Sequence, residues 1–213
     1  KQYLIDATSD YPNPFILPAE CLNDQGRIID LAANNFIQLD QSGASRSVTM
    51  LASAINEHRQ FSGSVTTLHS DYMAVRLHER TKTEQNREDF IETLGKRYDN
   101  AEITLEHAEI DEANSRNFNA SFTFASDESA IFSGDMLYLN PMPGFEFDLN
   151  PFRQQTRKLP VNFTYQQDIQ YANRITIPEG YSVEEIPENL NISLPQGDCR
   201  FLFSASMMNE EVV

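Results

Sequence analysis

The chain has no apolar run approaching the ~18 residues that a membrane-spanning helix needs, so no membrane span is expected. Positive charge is scarce. Sixteen Lys and Arg stand against 32 Asp and Glu, a formal charge of −16. The isoelectric point lies near 4.5. That excess repels phosphate backbones and anionic lipid, so nucleic acid is excluded as a partner. Cysteine is nearly absent: Cys21 and Cys199 stand far apart. They read as two buried free thiols, with a disulfide as the alternative in an oxidising compartment.

Motifs that carry chemistry are missing as well. There is no H-E-x-x-H, no calcium-loop spacing, no G-x-S-x-G and no glycine loop that would cradle phosphate. No cofactor and no metal site is expected. The four histidines, His58, His69, His78 and His107, each read as structural or exposed. Glu102, Glu106, Glu109, Asp111 and Glu112 read as a solvated strand face. The sequons at Asn119, Asn162 and Asn191 lie in strand-like runs and carry no weight.

What is present is alternation. In residues 157–187, Val161, Phe163, Tyr165, Ile169 and Tyr171 share one parity. Ile175 and Ile177 keep it beyond an Ala-Asn-Arg break. Period-two patterning marks half-buried antiparallel strands. Residues 117–125 alternate most cleanly, with Phe118, Ala120, Phe122 and Phe124 on one face. Residues 47–69 read as a hairpin, with Gly63 as a bulge. Residues 2–8 read as a short strand. Leu190, Ile192 and Leu194, then Phe201, Phe203 and Ala205, read as further sheet around a Pro195 turn. Tyr165, Tyr171 and Tyr181 read as half-buried sheet residues, with a sugar-binding face as the minor reading.

The period changes once, over 71–98. Ser70 or Asp71 reads as an N-cap, and Thr81-x-x-Glu84 as a capping box for a second helix. Phe90, Ile91, Leu94 and Tyr98 form an apolar stripe, and Glu92 sits four residues before Lys96. The expected class is therefore α+β and mainly β. It has antiparallel, β-sandwich-like layers with one helical segment around 71–98. Soft divisions fall at 1–30, 31–139 and 140–213. The last is read as a small β-sandwich, separate from or continuous with the middle part.

YLIDAT followed by FILPAECLNDQGRII resembles the end of a transglutaminase-like domain of the papain-like cysteine type, as found in large bacterial envelope proteins. SGDMLYLNP, NPFRQQTRKLPVNFTY and IPEGYSVEEIP resemble the uncharacterised C-terminal β-domain that follows that core. The resemblance makes residues 1–30 the tail of the core, or a lead-in, cut from a longer protein. It implies a Cys-His-Asp triad in chain order, with Asp6 in the place of the Asp that orients the imidazole. Cys21 follows Asp6, so it does not match the nucleophile, and no histidine precedes Asp6. The prolines of SDYPNPFILP also depart from the usual run.

The expectation is thus a non-catalytic accessory or scaffolding module in the periplasm or cell envelope. Its partners would be the upstream domain of the same polypeptide and a protein or glycan ligand. One alternative is a stand-alone hydrolase using Cys21 or paired carboxylates. Another is a purely structural spacer between domains.

Overall fold

The computed structural model describes residues 4–6, 16–22, 24–29, 35–39, 45–110, 116–145, 163–195, 197, 199–209 and 211–213. A short 3-10 turn, Ala19–Cys21, precedes a pair of three-residue strands, β1 (Gln25–Arg27) and β2 (Phe36–Gln38). The main elements follow: β3 (Ser45–Ile55), β4 (Phe61–Ser70), α1 (Asp71–Thr81), α2 (Glu84–Arg97), β5 (Glu102–Ile110) and β6 (Asn117–Ser126). After them come β7 (Ala130–Ser133), β8 (Met136–Leu139), β9 (Gln167–Thr176), β10 (Leu190–Ser193), β11 (Arg200–Phe203), β12 (Met207–Met208) and β13 (Glu211–Val212). The fold is α+β and mainly β.

Seven strands pair in the order β12-β13-β9-β3-β4-β6-β5 among the described residues. The alternating side chains explain which face is buried. Every second residue of β6, from Phe118 to Ser126, points into the core. Phe61 and Val65 of β4, Leu51 of β3 and Ile175 of β9 join them. Tyr98 closes the cluster from the end of α2, its ring 5.5 Å from Phe122 and 5.1 Å from Phe124. Fully burying one such side chain contributes about 1.5–3 kcal/mol. The opposite face presents Ala52, Ser64, Thr66, Ser121, Thr123 and Gln170, small or polar side chains open or half-open to water. Ala74 of α1, Leu94 of α2 and Tyr98 just beyond α2 pack on the first face.

The edge strand β5 is held off from further pairing. Glu102, Glu106 and Glu109 are exposed along it, and the register slips between Leu105 and His107. Charges and a bulge are common devices for protecting a sheet edge. The acidic run is thus a solvated strand face through Glu109. Asp111 and Glu112 lie outside the described residues.

Several local expectations are corrected. Gly63 is not a bulge, since it pairs in register with Ser53 and Phe124. Its missing side chain lets the backbones close. A Cβ there would collide with the Ala52 carbonyl oxygen. Thr81 does not cap the second helix. It ends α1, and its hydroxyl donates back to the Leu77 carbonyl at 3.0 Å. Thr83 is the cap, accepting from the Asn86 amide at 3.1 Å. The Ala-Asn-Arg break at 172–174 is continuous strand, because Asn173 is a satisfied buried polar residue. Ser53 Oγ donates to it at 2.7 Å, and its amide donates to the Pro141 carbonyl at 3.1 Å.

β9 runs parallel to β3, from Ser45 beside Gln167 to Ser53 beside Ile175. The sheet therefore spans both sides of the soft division at 140. Residues 4–6 lie outside strand structure, and the rest of the 2–8 run is not among the described residues. Phe163 is exposed and precedes β9, while Val161 lies outside the described residues. The segment around Leu190 and Phe201 does not extend the main sheet. It forms its own two-stranded hairpin, β10-β11.

Candidate functional site

The junction of β4 and α1 gathers several paired polar groups. Ser45 Oγ donates to the Ser70 carbonyl and accepts from the Met73 amide at 3.0 Å, so a serine from β3 caps α1. Asp71 adopts φ +53° there, and its amide donates to the Arg116 carbonyl at 2.7 Å. The Arg116 guanidinium grips the Asp71 carboxylate at 2.5 Å. The next residue, Tyr72, is 8 % exposed and stacks on Tyr165 at 4.4 Å.

The Tyr72 hydroxyl is buried without a hydrogen-bond partner among the described residues. Burial first, then charge on Asp71, Tyr165 and Cys21, pushes it up to about 12, against the pull of Arg116. Cys21, at the end of the 3-10 turn, is thus brought near α1. Its thiol meets Asp6 Oδ2 at 3.9 Å. Both sequence candidates, Asp6 and Cys21, therefore meet each other.

Their electrostatics oppose thiolate chemistry. A nucleophilic cysteine needs a cation, an imidazole or a helix N-terminus to favour its anion. The Cys21 thiol is pushed above its ordinary value, by burial first, then by Asp6 and Glu20. No histidine is among the groups that shift it. The thiols are both free, but they are not both buried: Cys21 is half-buried and Cys199 is exposed.

The histidines scatter. His58 sits exposed in the β3–β4 turn and His107 is exposed on β5. Burial lowers His69 to about 4 and leaves its Nδ1 without a partner among the described residues. Burial, then Lys82, also lowers His78. No group of three or more His, Cys, Asp or Glu side chains could hold a metal ion among the described residues. A depression of about 350 Å3 between α1 and α2 is lined by Glu79, Arg80, Asn86, Asp89, Phe90 and Thr93. Asp6 and Cys21 do not line it.

The three tyrosines do not share a platform. Tyr165 stacks on Tyr72, and Tyr171 is half-buried, donating to the Pro143 carbonyl at 2.8 Å. Tyr181 is exposed beyond the Gly180 turn. The acids also find local duties. Asp99 accepts from Ser129 Oγ at 2.5 Å and from the Asn140 amide at 3.3 Å, tying α2 to the β6–β8 region.

A second feature is exposed surface. Leu190, Ile192 and Leu194 share a face with Phe201 and Phe203 across the β10–β11 register. Leu190, Ile192 and Leu194 are about half exposed, and Phe201 is 36 % exposed.

One protein family matches part of the chain. Its model covers residues 135–209, and it is described as "Domain of Unknown Function with solved-structure structure (DUF3858)". The matched span runs from the β7–β8 turn through β12 and includes the exposed hairpin. No match was found among curated proteins or among solved structures.

Sequence reasoning named Asp6 and Cys21 but missed Asp71, Tyr72 and Arg116. These converge from a helix start and a strand start, and no local pattern links them. The hairpin face did carry a signal, the alternation of Leu190, Ile192 and Leu194.

Proposed function

We propose that the chain is a non-catalytic accessory module that binds a protein or glycan in the cell envelope. It would follow a transglutaminase-like core in one polypeptide. The core and the envelope setting rest on the sequence resemblance alone. The observation that carries the non-catalytic half is the state of Cys21. Burial first, then Asp6 and Glu20, hold its proton on, the reverse of what a nucleophile needs. The binding half is supported by a scaffold that buries one sheet face and leaves broad polar and apolar surfaces free.

The test assays the purified chain for amide hydrolysis and amine transfer, beside an Asp6→Ala variant. Glycan and peptide arrays probe the same protein. The expected result is no turnover and selective array binding. Turnover that disappears in Asp6→Ala would overturn the reading. Silent arrays would favour an inter-domain spacer.

A further inference from the structure

We propose that the β10–β11 hairpin is a docking site for an extended polypeptide strand with apolar alternation and basic flanks. This deepens the accessory-module reading by naming its surface and its class of partner.

Three observations lead there. The first is a mismatch between structure and exposure. A two-stranded hairpin alone is marginally stable in water, and a third strand or a covering layer steadies it. Here the face made by Leu190, Ile192, Leu194, Phe201 and Phe203 belongs to neither core cluster of described residues. The hairpin is nevertheless well pinned. Asn189 Oδ1 accepts from the Ala205 amide at 3.0 Å at its base. Leu194 and Cys199 bond across its tip at 2.9 Å, and Gly197 takes φ +78° in the turn. Arg200 donates to Asn191 at 3.2 Å on the opposite face. The surface is thus preorganised, which lowers the ordering cost of binding.

The second observation is the free edge. β10 pairs with β11 on one side and with no other strand among the described residues. Its outer backbone groups can add a strand, and side-chain alternation then sets which residues of the newcomer meet the apolar face.

The third is charge. Glu184, Glu185 and Glu188, all exposed, lie directly before Leu190. Complementarity therefore favours Lys or Arg beside the partner's apolar residues. It disfavours a second copy. Two copies would each bring a formal charge of −16, and that like charge opposes their association.

The test uses the full chain and a fluorescein-labelled peptide alternating valine and threonine between terminal lysine pairs. A glutamate-flanked peptide of the same core is the control. Fluorescence anisotropy should give micromolar binding of the lysine peptide, and at least about tenfold weaker binding of the glutamate peptide. Ile192→Lys should weaken the lysine peptide by about tenfold or more. Leu202→Thr, on the opposite face, should leave binding unchanged. Thermal melts confirm that both variants fold, since both positions are exposed.

Equal binding of the two peptides, no binding, or indifference to Ile192→Lys would overturn the proposal. So would a concentration-dependent dimer that Ile192→Lys abolishes in sedimentation, which would make a second copy the occupant. Glycan binding on arrays without peptide binding would overturn this inference and spare the accessory-module reading. Turnover lost in Asp6→Ala would do the opposite.

Discussion

Replacing Gly144 by alanine probes how the 140–145 loop is locked onto the core. Gly144 sits at φ +74°, and a Cβ there would run into the Tyr98 ring. Two costs add. The left-handed backbone costs a residue with a side chain about 1–2 kcal/mol. Forcing a methyl against a ring that is 3 % exposed adds about 1–3 kcal/mol of overpacking. The total is roughly 3 kcal/mol. At about 2–4 °C per kcal/mol for a chain of this size, the melting midpoint should fall by roughly 6–12 °C. Gly134→Ala is the internal control. Its φ is +60°, but nothing lies within 4 Å of the added Cβ. It should lose only the backbone part, about 1–2 kcal/mol. Thermal unfolding followed by circular dichroism compares the two. Equal losses would refute the claim that Gly144 is chosen for its contact with Tyr98.

Three further outcomes follow from the same geometry. Burial holds His69 near 4, below its unfolded value of ~6.5, so the unfolded chain binds more protons between those values. Stability should therefore fall as pH drops through that window, by up to ~3 kcal/mol, and His69→Leu should flatten this part of a denaturant-midpoint profile. Thr83→Ala removes the oxygen that caps α2 and should cost ~1 kcal/mol, seen as faster amide exchange in the first turn of that helix. Phe122→Ala empties a position 2 % exposed under Tyr98 and should cost about 3–5 kcal/mol in chemical denaturation.

How far the residues announce this structure depends on the range of the interaction. β6 was legible because burial alone decides its alternation, and every inward residue from Phe118 to Phe124 is apolar or alanine. The α2 stripe was legible for the same reason. The break expected in β9 arose from reading only apolar parity. Asn173 takes an inward place with both ends of its amide satisfied, and such a residue is invisible to a hydrophobic count. The choice of β3 as the parallel neighbour of β9 joins segments more than a hundred residues apart, beyond any local signal. The same holds for Tyr72 and Arg116, which the pairing of Ser70 with Asn117 brings side by side. Asp6 was named through resemblance, and its contact with Cys21 gives that residue a neighbour the motif does not describe.

The central functional claim is that Cys21 is kept as a thiol. Its most direct measurement is the alkylation rate of Cys21 against pH, in a Cys199→Ser background that removes the exposed competitor. The rate should still be climbing at pH 9, with no plateau, because burial, then Asp6 and Glu20, oppose the anion. A plateau reached below pH 7 would mean a stabilised thiolate and would contradict the account.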